Sequence, residues 1–405
     1  MTMQSAPKST EFATDLQHIV CRTNHVVLSD FTEARREPTR PVEFRPDNFE
    51  RQFDSTTLFY DAVEIGDRQV VLFAPPFFNL TDALSKTCFF QGSEPREPEI
   101  RHLDRHAQIW LKASPDGGIR AVGPLGDVAL AVSPNRLDMF RDRRVIFTMS
   151  KDNPIEWIVD WVKFNRDVHG ADAVLIYDNA STAYSSAALS AALRAVPGIE
   201  RSVVVEWPFK YGPQGANSRQ HWDSDFCQLG AWEHARWCFL RQARSVMNAD
   251  IDELVLSQSG QSAFEAAEQS HSGFVRYRGR WIIGVDDGRV SETAERLPRH
   301  RDFNVLMPPN TQFSWPRGRR DSNVCAPKWT VVPAKCPRRA QWLVHSISPW
   351  LPSYLPCSRN FSFGHFREIG SNWKYQRTSR VPFDPSIHRA NALLQTAFQR
   401  VNWLK

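Results

Sequence analysis

RRVIFTMSKDNPIEWIVDWVKFNRDVHGADAVLIYDNAST, residues 143–182, decides the fold. Val145, Ile146, Phe147 and Thr148 are an apolar, largely β-branched run that predicts a core strand. The run breaks at Ser150, Lys151, Asp152 and Asn153. Asn153, Pro154 and Glu156 then supply an N-cap, a proline at the first helical position and an acid at the third. Ile155, Ile158, Val159 and Val162 recur at helical spacing and define one buried face. Gly170 stops the helix, Ala173 to Tyr177 restart a strand, and Asp178 to Thr182 form a polar turn. Strand, helix, strand with short connections is a βαβ unit, which predicts a parallel, twisted sheet.

The pattern continues outward. Residues 184–195 are alanine-rich and helical, ending at Pro197 and Gly198, and Ser202 to Val205 form a third strand. A loop rich in Gly, Pro and Asn (208–220) leads to a helix over about 222–243. Ser245, Val246 and Met247 are a fourth strand, which runs into VMNADIDELVL, residues 246–256. Asp250 and Asp252 therefore fall where that strand leaves the sheet, and open α/β sheets bind ligands at the carboxyl ends of their strands. An Asp-x-Asp there offers hard oxygen ligands for Mg²⁺ or Mn²⁺, ions that neutralise a diphosphate.

With these elements in place, the chain resembles the glycosyltransferases of family 92 and the related family-2-like bacterial transferases, all of the GT-A fold. The resemblance covers about 143–380. It rests on Lys151-Asp152-Asn153, on Glu156-Trp157, on Ile176-Tyr177-Asp178-Asn179-Ala180-Ser181-Thr182 and on Asp250-Ile251-Asp252-Glu253-Leu254. Lys328-Trp329, His345 and the segment His365-Phe366-Arg367 follow in the family's order. The sequence departs from the family pattern at Asn153, where an acid is common, and at Leu254, which replaces an aromatic. The expected fold class is thus α/β, a GT-A-type nucleotide-sugar domain with a mostly parallel sheet plus a smaller β-rich module. The expected boundaries are a polar, partly disordered segment 1–45, the module over 46–140, the GT-A-like domain over 141–380 and a C-terminal helix over 381–405.

The resemblance implies a metal-dependent transfer of a hexose, galactose first, from a nucleotide sugar, expected to be UDP-linked, to a glycan acceptor of a bacterial surface or exported polysaccharide. It implies Mn²⁺ or Mg²⁺ on Asp250 and Asp252, with His345 as third ligand, and inversion at the sugar carbon. Lys151, Asp178, Asp250 and Lys328 would meet the nucleotide. The departing diphosphate makes electrostatic stabilisation the dominant need. An inverting transfer also needs a base for the acceptor hydroxyl, for which Glu368, Asp302 and Asp225 are the candidates. Trp281, Trp329 and Trp373 are candidate sugar-stacking platforms, whereas Trp157, Trp161, Trp232 and Trp237 on helices belong to packing. A nucleotidyltransferase on the same fold, or a non-catalytic glycan- or nucleotide-binding module, are the alternative readings.

Composition agrees. The 405 residues are 41% hydrophobic, ordinary for a globular protein. No stretch approaches the roughly 18 consecutive apolar residues of a membrane span. The first twenty residues lack the apolar core of a signal peptide, so the expected setting is the bacterial cytoplasm, free or peripheral at the inner membrane. Seven cysteines, odd in number and without a Cys-x-x-Cys pair, argue against a zinc ribbon and against a disulfide framework. The net charge of +5 is spread along the chain, its densest cluster being Arg317, Arg319 and Arg320. That cluster is either a solvated basic loop or a grip for phosphate, and no nucleic-acid-binding signature accompanies it.

Overall fold

A computed structural model describes residues 17–114, 117–213, 225–286, 297–314, 318–371 and 381–404. Apolar runs buried on both faces form the central strands of an eleven-stranded sheet. Its strands are β1 (His18–Arg22), β2 (Arg144–Ser150), β3 (Ala173–Asp178), β4 (Arg201–Glu206), β5 (Ser245–Asn248), β6 (Glu253–Ser257), β7 (Phe274–Ile283), β8 (Val305–Leu306), β9 (Val324–Val331), β10 (Phe361–Phe366) and β11 (Arg389–Ala390). The spatial order β1-β4-β3-β2-β5 is parallel throughout, with Ile146 opposite both Val174 and Met247. β9, β7, β8 and β11 continue it in antiparallel fashion, and β10 lies parallel to β7 and antiparallel to β6. The chain is therefore α/β, with a doubly covered parallel half and an antiparallel half.

Alternation along the strands sends side chains into two cores. Ile146, Val174, Val204 and Met247 face one way, against α1 (Ile155–His169) and α2 (Ser186–Arg194). Phe147, Leu175, Val203 and Val246 face the other, against Trp232 and Ala235 of α3 (Phe226–Ala235). The cap of α1 differs from expectation. Pro154 occupies the N-cap position with extended backbone, and the Asn153 amide turns back to donate to Ser150 Oγ at 3.0 Å. A proline φ suits an extended N-cap as well as a first helical residue. Gly170 ends α1 at φ 74°, the left-handed conformation that terminates helices. The helix expected over 222–243 is α-helical over 226–235 and π-helical over 236–240.

Ahead of β2 lie two four-stranded antiparallel sheets, formed by 61–64, 69–74, 98–103 and 106–112, and by 88–91, 94–96, 119–123 and 126–130. Tyr60, Val63, Val71, Phe73 and Trp110 join the same core as α3 and the parallel strands. Gly230, in the middle of α3, lies so close to the Tyr60 ring that a β-carbon would collide with it. The N-terminal sheets thus press α3 onto the parallel strands. β1, from within the polar stretch 1–45, extends the large sheet beside β4.

Candidate active site

The rim is made where β2, β3 and β5 end together, Ser150 being paired with Asp178 and Phe147 with Asn248. Asp152, at φ 51°, clamps the first two strand ends: its Oδ1 accepts from Thr182 N at 2.6 Å and Ala183 N at 3.0 Å. Burial raises the pKa of Asp152, but these backbone donors and Lys151 outweigh it and hold the carboxyl below its ordinary range. Lys151 Nζ donates to the carbonyls of Asn179 (2.8 Å) and Ala180 (3.2 Å). Asp178 is buried, and its Oδ1 has no hydrogen-bond partner among the described residues. Burial raises its pKa, and Ser181 only partly offsets that. Ser371 Oγ donates to the Lys151 carbonyl, bringing the segment after β10 over this rim.

The sharpest concentration of charge is at the end of β5. Asp250, Asp252 and Glu253 meet Lys328 from β9 and His365 from β10. Lys328 Nζ is 2.7 Å from Asp250 Oδ2 and 3.1 Å from Glu253 Oε2, and the lysine side chain is 1% exposed. His365 Nε2 is 3.1 Å from Asp252 Oδ2, and its Nδ1 is 3.8 Å from Glu253 Oε1. Trp281 from β7 stacks on the His365 ring at 4.0 Å and 22°. The turn is tied by Asp250 N donating to Glu253 Oε2 and Glu253 N to the Asp250 carbonyl, both at 2.9 Å. The ring of His300, also buried, donates to the Ile251 carbonyl at 2.8 Å.

Electrostatics follow from these contacts. Burial raises Glu253, against the pull of Lys328. Burial alone would lower Lys328, but Asp250 and Glu253 reverse that and keep it charged. For His365 burial also lowers the pKa, and Asp252 more than compensates, lifting it from 6.5 to about 10. Among the described residues, three carboxylates meet two cations here, an excess of one negative charge when all five groups are ionised. Asp250 remains 33% exposed and Asp252 14%, so the surplus faces the rim.

The other sequence-predicted residues are dispersed. His345 is exposed on the loop that Val344 ties to Asn248 Nδ2, and its Nδ1 donates to the Pro327 carbonyl at 3.0 Å. Among the described residues no three His, Cys, Asp or Glu side chains converge as a metal site, so His345 is not gathered with the two aspartates. Glu368, three residues past His365, accepts from Gly284 N at 3.1 Å. Asp302 accepts from Arg299 N in the 300–302 turn beside Ile251. Asp225 begins α3 and faces Arg105 at 3.5 Å. Trp329 is corrected from platform to core: it is wholly buried against Trp342, with Nε1 donating to the Leu343 carbonyl. Lys328, expected to meet the nucleotide, is buried and paired with Asp250 and Glu253. Trp157, Trp161, Trp232 and Trp237 are buried as expected. Trp373 and Arg317 lie outside the described residues, as do the side chains of Arg319 and Arg320.

Two participants carried no role in the sequence reading, Glu253 and His365. The signal for His365 was a single titratable residue in an otherwise apolar strand, FSFGHF. For Glu253 it was a third acid directly after the pair.

No protein-family model matches the chain, and no curated protein matches its sequence. Among solved structures, it is similar to the mannosyltransferase Ktr4p from S. cerevisiae, at 8% identity over 36% of this chain and 41% of that one, TM-score 0.24. It is also similar to the galactosyltransferase LgtC, solved in complex with donor and acceptor sugar analogs, at 13% identity over 47% of this chain and 58% of that one, TM-score 0.24. The matched regions span about half the length of these solved proteins, 41% and 58%. Both are glycosyltransferases by name, and each overlap is confined to less than half of this chain.

Proposed function

We propose that this chain is a glycosyltransferase, with family 92 and its family-2-like bacterial relatives as its kin. The proposed reaction moves a hexose, galactose first, from a UDP-sugar to a glycan acceptor of a surface or exported polysaccharide, with inversion. The observation that carries the reading is the surplus-acid cluster Asp250, Asp252 and Glu253 at the carboxyl end of a parallel strand, beside the ends of β2 and β3. A ligand crevice belongs there in an open α/β sheet.

The donor set suits a divalent cation. Asp250 and Asp252 offer hard carboxylate oxygens at a partly exposed rim, and Mg²⁺ is commonly held by one or two carboxylates with substrate phosphates and water. Such an ion supplies charge stabilisation for the departing diphosphate. Lys328 fixes Asp250, and His365, held by Trp281, fixes Asp252. Asp178, with its unpaired buried oxygen, is assigned to the nucleobase, and the Asp152 clamp shapes the turn beneath it. Glu368 is the preferred base, since it follows His365 on the same segment.

Calorimetry with UDP, with and without Mn²⁺, tests the reading. Metal-dependent binding that Asp252→Ala abolishes, followed by slow hydrolysis of a UDP-sugar, is the expected result. Binding without sugar release from any nucleotide sugar favours a nucleotidyltransferase or a binding module. Failure of UDP, GDP and CMP to bind with metal present overturns it.

A further inference from the structure

Residues 350–358 cross the face of the antiparallel half that carries the side chains of Arg276, Arg278 and Arg280. The segment is well anchored. Trp350 packs against Phe274 at 5.2 Å, Arg276 Nη1 donates to the Ser353 carbonyl at 2.7 Å, and Ser358 N donates to the Arg276 carbonyl at 2.7 Å. Leu351, Tyr354 and Leu355 nevertheless stand in water at 73%, 61% and 52% exposure. Three large apolar side chains within five residues, held out by a fixed turn, form a patch of the kind that marks an interaction site.

Directly beyond them the chain lines a cleft of ≈ 640 Å³ whose wall includes Arg278, Arg280, Pro356, Ser358, Ser362 and Asn391. No carboxylate is among the described residues that line it. Arg280 reaches Asp321 only at 3.5 Å, and Arg278 is exposed with no ion-pair partner among the described residues. A guanidinium without a close counter-charge, as at Arg278, suits phosphate, which it binds in bidentate fashion, and Arg280 stands two residues along the same strand. Tyrosine beside leucine suits the boundary between headgroups and acyl chains. The two features are continuous through Pro356.

We infer that this face seats the protein on an anionic lipid surface, with Leu351, Tyr354 and Leu355 entering the interface and Arg278 and Arg280 taking phosphate headgroups. Among the described residues no helix is long and apolar enough to cross a membrane. The inference does not depend on what the acidic rim catalyses.

Co-sedimentation of the full chain with vesicles tests it, using phosphatidylcholine alone and phosphatidylcholine mixed with phosphatidylglycerol. The expected result is binding to the mixed vesicles and little to the neutral ones. Leu351→Ser with Leu355→Ser, and separately Arg278→Ala with Arg280→Ala, should each weaken that binding about tenfold or more. All four side chains are exposed, so unchanged melting curves are expected and exclude unfolding as the cause. Arg120→Ala, on the N-terminal sheets, should bind as the unaltered chain does. Equal recovery with neutral and anionic vesicles, or either double variant pelleting like the unaltered chain, overturns the inference.

Discussion

Two of the places where the chain buries charge differ in how that charge is matched. Between the N-terminal sheets and α3, Asp61 accepts from Asn24 N, Ala62 N and Ser133 Oγ, and faces His234 Nε2 at 3.1 Å. His234 Nδ1 in turn meets the Tyr177 hydroxyl at 2.6 Å. Nearby, the Glu233 carboxylate accepts from Trp342 N, Gln108 Nε2 and Trp237 Nε1. Each acid there is satisfied by neighbours on several elements and is closed off from solvent. At the rim, by contrast, three acids share two cations among the described residues, and two of the acids reach water. A satisfied buried charge fixes how layers meet, whereas a surplus one at a strand end is a demand for a ligand.

Removing a cation from the rim should show the largest effect. Lys328→Met leaves Glu253 and Asp250 without their shared partner, which should cost about 3–5 kcal/mol in urea unfolding at neutral pH. Because burial raises the Glu253 pKa, proton uptake can relieve the repulsion, so the deficit should shrink as pH falls. Adding Glu253→Gln should restore most of the loss. If Lys328→Met unfolds like the unaltered chain, Lys328 does not hold the Asp250 and Glu253 carboxylates in the fold. Removing an acid should act differently. Asp252→Asn takes away a rim carboxylate, so rates of UDP-sugar hydrolysis should fall about 10²–10³-fold, and it also removes the partner of His365, which should cost about 2–4 kcal/mol at neutral pH. His365→Gln should share that loss of stability but keep most of the hydrolysis rate; a His365→Gln variant as inactive as Asp252→Asn would place Asp252 with the structural charges.

The same contrast explains what the sequence could reveal. The parallel strands were legible because burial on both faces turns them into apolar runs, and Gly170 announced its helix end. Asp250 and Asp252 were legible because a strand ends beside them. Their partners were not. Lys328 is 78 residues from Asp250, and His365 is 113 from Asp252, so only sheet register brings them together. Trp329 looked like a platform because burial cannot be read from a single aromatic on a strand. Asn153 looked like a cap because its competing partner, Ser150 Oγ, depends on how the preceding strand ends. The turn spacing announced a β-rich module, but not that its Tyr60, Phe73 and Trp110 share a core with α3.

A pH titration sharpens the comparison at the rim. His365 has its pKa raised from 6.5 to about 10 in the fold, with burial opposing and Asp252 prevailing. Its contribution is therefore fully present below about pH 6.5 and is lost as pH rises through 10. Roughly 2–4 kcal/mol should disappear across that window. His365→Gln should flatten this part of the stability profile, and a slope that survives the substitution would assign it to another group.

The smallest effect tests the closed network. Tyr177→Phe removes only the hydroxyl that meets His234 Nδ1, leaving a buried ring nitrogen unpaired at a cost of about 1–2 kcal/mol. Tyr177 directly precedes Asp178, so a site that extended into this network would lose nucleotide affinity as well. The side chains of Tyr177 and Asp178 point to opposite faces of β3, as successive strand residues must. Melting should therefore shift while the affinity for UDP with Mn²⁺ holds. A variant that melts normally but binds UDP several-fold more weakly would mean that the Asp61–His234–Tyr177 relay positions the rim, and the division between matched and surplus charge would have to be redrawn around it.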